Sequence, residues 1–141
     1  MATREAKAVW EGGLKSGSGF FEGQTGLKAS YSFRSRFEDG PGSNPEELLA
    51  AAEAACFSMA LALGLERAGT PATRIETRAA CTIDRVGEGF KITTMRLTVR
   101  AAVPKIDSAA FKRAAEQTKT GCPVSGALKG NVELTLDAEL T

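Results

Sequence analysis

The chain has 141 residues, one domain's length with room for a core of its own, and 18 basic against 17 acidic side chains leave a net charge of +1. No run of one sign appears, which argues against electrostatic capture of nucleic acid or of an anionic membrane surface. Histidine is absent, which removes Ser–His and Cys–His nucleophile pairs and every histidine-containing metal site.

The beginning, MATREAKAVWEGG, carries charges where a signal peptide has its apolar core, so secretion is not expected. The first forty residues are rich in glycine, with short segments at 6–10 and 29–33 between EGG, GSG and EGQTG. That pattern predicts a meander of short strands, and GSG lacks the spacing of a phosphate loop. A long helix follows. Asn44 suits its N-cap, Pro45 its first position, and Glu46 and Glu47 the positive end of its dipole. Gly69, Thr70 and Pro71 end it. The stretch 48–65 is apolar enough for a membrane span, but Glu53 and Ser58 interrupt it, and it is read as a helix buried on most sides.

Residues 74–84 alternate, with Ile75, Thr77, Ala79, Cys81 and Ile83 on one face. After a turn at 87–89, the inward set of 90–103 shifts from Phe90 and Ile92 to Leu97, Val99 and Ala101, which predicts a bulge near Thr94 and Met95. Asp107 caps a second helix with Phe111, Ala114, Ala115 and Thr118 inward, ending at Gly121. The last strand points Val132, Leu134, Leu136 and Ala138 to one side. The expected order is βββ-α-ββ-α-β: an α+β fold with a mostly antiparallel sheet and a long central helix, in a single domain spanning 1–141.

Three cysteines, at 56, 81 and 122, show no CxxC spacing. An odd number without a signal peptide fits a reducing compartment, the cytoplasm, where a disulfide is catalytic sooner than structural. Cys81 lies on the apolar face of a strand and reads as core. Cys56 shares a helical stripe with Leu49, Ala52, Ala60 and Leu63. Burial there raises a thiol's pKa and leaves it inert unless a cation is brought to it; without histidine, arginine is the candidate. Cys122, between Gly121 and Pro123, is expected to cap a short helix over 124–128, whose amides would favour a thiolate. A turn residue that happens to be cysteine is the competing reading. Local physics names two thiols and does not rank them.

The phrases RFEDGPGSNPEELLAAAEAACFSMALAL and GCPVSGALK together resemble the OsmC/Ohr family of osmotically inducible and organic-hydroperoxide-resistance proteins, the OsmC branch most of all. The likeness extends through WEG at 10–12 and the strand order. It implies an intertwined homodimer with thiol-dependent peroxidase activity, reducing organic hydroperoxides and hydrogen peroxide in defence against oxidative and osmotic stress. On this likeness Cys56 is the peroxide-attacking cysteine and Cys122 the resolving one. Arg36 and Glu46 attend the thiolate, with Arg34 a rival for the arginine. An external dithiol, a lipoylated protein among the candidates, would be the reductant, and no metal or other cofactor is implied. The residues suit the chemistry. A thiolate becomes a sulfenic acid, a second thiol condenses with it to a disulfide, and exchange with a dithiol restores both. Phe57, Met59 and Phe37 suggest a pocket for an apolar substituent. The alternative is a stress-related ligand-binding or structural dimer without turnover, in which both cysteines are packing.

The long helix adds a geometric expectation. Glu46 and Cys56 lie ten residues apart, about 15 Å along a straight helix. If two copies packed antiparallel about a two-fold axis near Ala51, Glu46 of one would come level with Cys56 of the other. Each site would then be shared: Arg36 and Glu46 from one subunit, Cys56 and Cys122 from its partner.

Overall fold

The computed structural model describes all 141 residues, Met1–Thr141. The chain divides into two units, Met1–Leu48 and Leu49–Thr141.

In the first unit β1 (Ala6–Glu11), β2 (Ser18–Gly23) and β3 (Lys28–Tyr31) form an antiparallel sheet in that order. Gly19 sits opposite both Trp10 and Tyr31, whose ring centroids are 5.3 Å apart. A Cβ at Gly19 would come within 2.9 Å of both aromatic side chains and 2.4 Å of the Val9 carbonyl, so only glycine fits there. The strand expected to continue to Phe33 stops at Tyr31, and α1 (Phe33–Phe37) begins instead. Ser32 and Ser35 cause this: each side chain accepts from the other's backbone N–H, a capping box that turns the chain into a helix.

The helix α2 (Pro45–Arg67) begins in the first unit and continues into the second. Asn44 Oδ1 accepts from the Glu47 N–H at 2.8 Å, the expected cap. At the other end Gly69 takes φ +80° and the Thr70 N–H returns to the Leu65 carbonyl.

The second unit continues with β4 (Arg74–Val86), β5 (Gly89–Ala102), α3 (Ser108–Gly121), α4 (Pro123–Leu128) and β6 (Glu133–Leu140). The β4–β5 pair is an antiparallel hairpin, whereas β6 runs parallel to β5, with α3 and α4 in the crossover that a parallel pair requires. The fold is α+β, with two three-stranded sheets. The bulge lies just before its expected position. Thr82 pairs with Thr94 and Ile83 with Ile92, so Thr93 is the extra residue and its hydroxyl bonds the Asp84 carboxylate. Met95 thereby joins the inward set with Leu97, Val99 and Ala101, and Phe90 is exposed.

The core of this unit gathers Phe57, Leu61 and Leu65 of α2, that set from β5, Phe111 and Ala115 of α3, and Cys122. Burying each large apolar side chain stabilises by about 1.5–3 kcal/mol. The inward face of α2 therefore runs through Glu53, Phe57, Leu61 and Leu65, not along the expected stripe; Cys56 stands at its edge, half-buried, and Ala52 and Leu63 are exposed. Although α2 is long and apolar enough to cross a bilayer, this face lies in the core of its own unit. Its outward face still shows Met59 and Leu63.

Candidate active site

Two pairs of candidate side chains are assembled, one in each unit. In the first, Arg36 on α1 meets Glu46 in the opening turn of α2. The guanidinium donates from Nη2 at 2.8 Å and from Nε at 3.2 Å to Glu46 Oε1. Glu46 is buried and Arg36 about one-third exposed, so this ion pair is better shielded than the others on the chain. Local chemistry builds it. The Ser35 hydroxyl donates to the Ser43 carbonyl, and Asn44 Nδ2 donates to the Ser35 carbonyl while its Oδ1 caps α2. Gly40 allows the turn between the helices, since a Cβ there would stand 2.7 Å from that of Arg34. Arg34, the rival arginine, is largely exposed and reaches only Glu38, at 3.6 Å. Arg36 also lies 5.3 Å from the Phe37 ring and borders a hollow lined by Trp10, Leu14, Tyr31, Phe33 and Phe37.

In the second unit Cys56 and Cys122 come together from far apart in the sequence. Cys122 is the hinge between α3 and α4. Its N–H donates to the Thr118 carbonyl and its carbonyl accepts from the Gly126 N–H, which fixes the thiol at 1% exposure. Cys122 is the N-cap residue of α4, as expected, but its side chain makes no capping hydrogen bond. Cys56 lies near both the Val124 amide and the Cys122 thiol, and each bears on its ionisation. Burial pushes the Cys56 pKa up from its ordinary 9.0; the Val124 hydrogen bond pulls it down, and Cys122 and the Glu53 charge push it further up. Within its own unit, the surroundings of Cys56 disfavour its thiolate.

Glu53 is the residue that sequence reasoning passed over. It is fully buried, hydrogen-bonded through Oε1 to the Ser125 hydroxyl, with Cys122 Sγ 3.9 Å away. The signal was present: an acid four residues before Phe57 falls on the same inward helix face and needs a partner. Phe57 is fully buried in the core and so cannot line a substrate pocket. Cys81 packs beside the core opposite Met95, as expected of a structural cysteine. No group of three or more Cys, Asp or Glu side chains is arranged to hold a metal ion.

The profile of the OsmC family, described as OsmC-like protein, matches residues 38–137. The chain is also 45% identical to Peroxiredoxin OsmC of Escherichia coli (strain K12), over 97% of this chain and 96% of that one. It belongs to the OsmC family. A more distant relative, an organic hydroperoxide resistance protein of Xanthomonas axonopodis pv. citri, is 32% identical over 69% of this chain and 67% of its own. Among solved structures, an organic hydroperoxide resistance protein OsmC from Legionella pneumophila superposes with TM-score 0.77 at 26% identity, covering 99% of this chain and 98% of that one. An OsmC-like chain therefore presents a paired arginine and carboxylate in one unit and a paired set of thiols in the other.

Proposed function

We propose that this OsmC-family chain is a thiol-dependent peroxidase that reduces organic hydroperoxides, and hydrogen peroxide with them, in a two-cysteine cycle. The Cys56 thiolate attacks the distal peroxide oxygen. An S–O bond forms, the O–O bond breaks, and the alkoxide leaves as alcohol once protonated, with Cys56 now a sulfenic acid. The Cys122 thiol then displaces the oxygen as water, giving a disulfide. An external dithiol, in our reading a lipoylated protein, reopens it by exchange. The observation that carries this reading is the juxtaposition of Cys56 and Cys122, remote in sequence yet near enough in space that the Cys122 thiol helps raise the Cys56 pKa. The names of the Escherichia coli peroxiredoxin and the Xanthomonas hydroperoxide resistance protein support the same activity.

Attack needs a thiolate, and the surroundings of Cys56 within its unit oppose one. Arg36 is the cation suited to stabilising it, being always charged, fixed by Glu46, and able to donate to peroxide oxygens while holding a thiolate. Glu46 and Cys56 are about 15 Å apart along α2. We infer a homodimer in which Arg36 and Glu46 of one subunit complete the site of the other's Cys56 and Cys122, the two units of each chain acting as one OsmC-like domain. The exposed Met59 and Leu63 and the alanine-rich first half of α2 support close packing of two such helices. The aromatic hollow beside Arg36 suits the apolar substituent of an organic hydroperoxide. The reducing cytoplasm is the compartment in which such a cycle turns over.

The test is mass spectrometry after one equivalent of cumene hydroperoxide. Wild-type protein loses two hydrogen atoms as the disulfide closes. Cys56→Ser protein consumes no peroxide. Cys122→Ser protein gains one oxygen at Cys56 from that equivalent, and further oxygen when a second equivalent is added. Turnover by Cys56→Ser protein at a near-wild-type rate contradicts the assignment.

A further inference from the structure

Glu53 has no part in the cycle so far, yet it occupies the most enclosed position beside it. A carboxyl group at 0% exposure on the core face of α2 is costly to keep there for packing alone. Its partners within the chain are the Ser125 hydroxyl and the Cys122 thiol, both on Oε1, with Sγ at 3.9 Å. The other oxygen, Oε2, is buried without any hydrogen-bond partner. Buried polar atoms left unsatisfied in this way are uncommon in folded proteins.

Two further observations restrict what this carboxyl can do. Cys122 is 1% exposed, so bulk water cannot readily collect its proton when it acts as a nucleophile. The base has to be inside. Glu53 also adds to the like-charge effect that disfavours a Cys56 thiolate, so a carboxylate there opposes the first step of the cycle. Once Cys56 has become a neutral sulfenic acid, that opposition is gone and only Cys122 has a proton to lose.

We propose that Glu53 is the general base of the resolving step, with Ser125 as the positioning residue that aims its carboxylate at Cys122. The inference rests on the two-cysteine cycle above. As the Cys122 sulfur attacks the Cys56 sulfur, the S–S bond forms and the S–O bond breaks. The Cys122 proton passes to the Glu53 carboxylate and the oxygen departs as hydroxide. The protonated Glu53 then gives that proton to the hydroxide, so that water leaves and the carboxylate is restored. The Cys122 sulfur is oxidised, the sulfenic sulfur reduced, and Glu53 ends unchanged. Such transfers contribute roughly 10²–10⁴-fold to a rate.

The experiment times the two steps separately in the full-length protein, with cumene hydroperoxide as the probe. Attack is read as dimedone-trapped sulfenic acid in a Cys122→Ser background. Resolution is read as disulfide formed after a pulse of peroxide, by rapid alkylation and mass spectrometry. Glu53→Gln should slow resolution tenfold or more while attack stays equal or rises a few-fold. Its resolution should also quicken with pH, about tenfold per unit, as hydroxide replaces the missing base. A merely structural role would slow both steps together, and that result overturns the proposal. Should Glu53→Gln protein not fold, Ser125→Ala keeps the acid and removes its anchor. It should slow resolution severalfold without slowing attack, and wild-type resolution in it overturns the assignment. Wild-type protein that forms no Cys56–Cys122 disulfide would remove the cycle itself. A wild type that forms it beside a Glu53→Gln protein that forms it equally fast removes only the role of Glu53.

Discussion

The Arg36–Glu46 pair and the Cys56–Cys122 pair are built on opposite electrostatic plans. The first is a complete ion pair: buried Glu46 takes donors from two guanidinium nitrogens, and surrounding Ser35, Ser43 and Asn44 are themselves hydrogen-bonded. The second holds two thiols and a carboxylate, none with a cation among its hydrogen-bond partners, one carboxylate oxygen being left bare. A carboxylate that needs an arginine has one, while a thiol that needs a cation to ionise lacks one in its own unit. On the cycle proposed above, neither region is a catalyst alone. What the thiol pair lacks, the arginine pair holds ready.

Removing Arg36 should break that complementarity most severely. Arg36→Ala should lower peroxide turnover by about 10²–10³-fold, the usual cost of one oriented donor at a charged reacting centre. Alkylation rate against pH should show the Cys56 thiol ionising at higher pH than in wild type. Arg36→Lys should recover only part of the activity, since a single ammonium cannot keep the forked contact with Glu46.

The same variant sharpens the contrast through stability. With Arg36 gone, Cys56 retains the raised pKa that burial imposes. Between its ordinary 9.0 and that raised value, the folded chain holds a proton that the unfolded chain has lost. The resulting stabilisation is fully present below about pH 9 and is lost as pH rises through the folded pKa. Urea unfolding of Arg36→Ala protein should therefore show a decline in this alkaline window, and adding Cys56→Ser should remove it.

The smallest effect belongs to the third cysteine. Cys81→Ala should leave turnover within a few-fold and cost about 1 kcal/mol in urea unfolding, as for a partly buried side chain beside a core. Loss of activity in this variant with the fold intact would move Cys81 into the chemistry.

How much of this could be read in the chain depended on how locally each feature is encoded. The ends of α2 were legible because Asn44, Pro45 and Gly69 act within a turn of themselves. The strand β6 was legible because strict alternation needs no partner to interpret. The short helix α1 was not, because its cause is a reciprocal pair of serines in a segment whose aromatics favour strand. The bulge was placed only approximately, since register belongs to two strands at once. Arg36 could be separated from Arg34 only once the turn at 38–44 had set which of them faces Glu46. The company of Glu53 was hidden for the same reason: Ser125 and Cys122 lie far away in sequence, and only the α3–α4 junction brings them to it.

The complementarity of the two pairs is tested most directly by mixing two dead proteins. Arg36→Ala chains keep both thiols, and Cys56→Ser chains keep the arginine and its carboxylate. Unfolded together and refolded, they should yield heterodimers with one intact site of two and regain a corresponding share of cumene hydroperoxide turnover. A mixture that stays inactive, with heterodimers demonstrated by native mass spectrometry, would contradict a site shared between subunits.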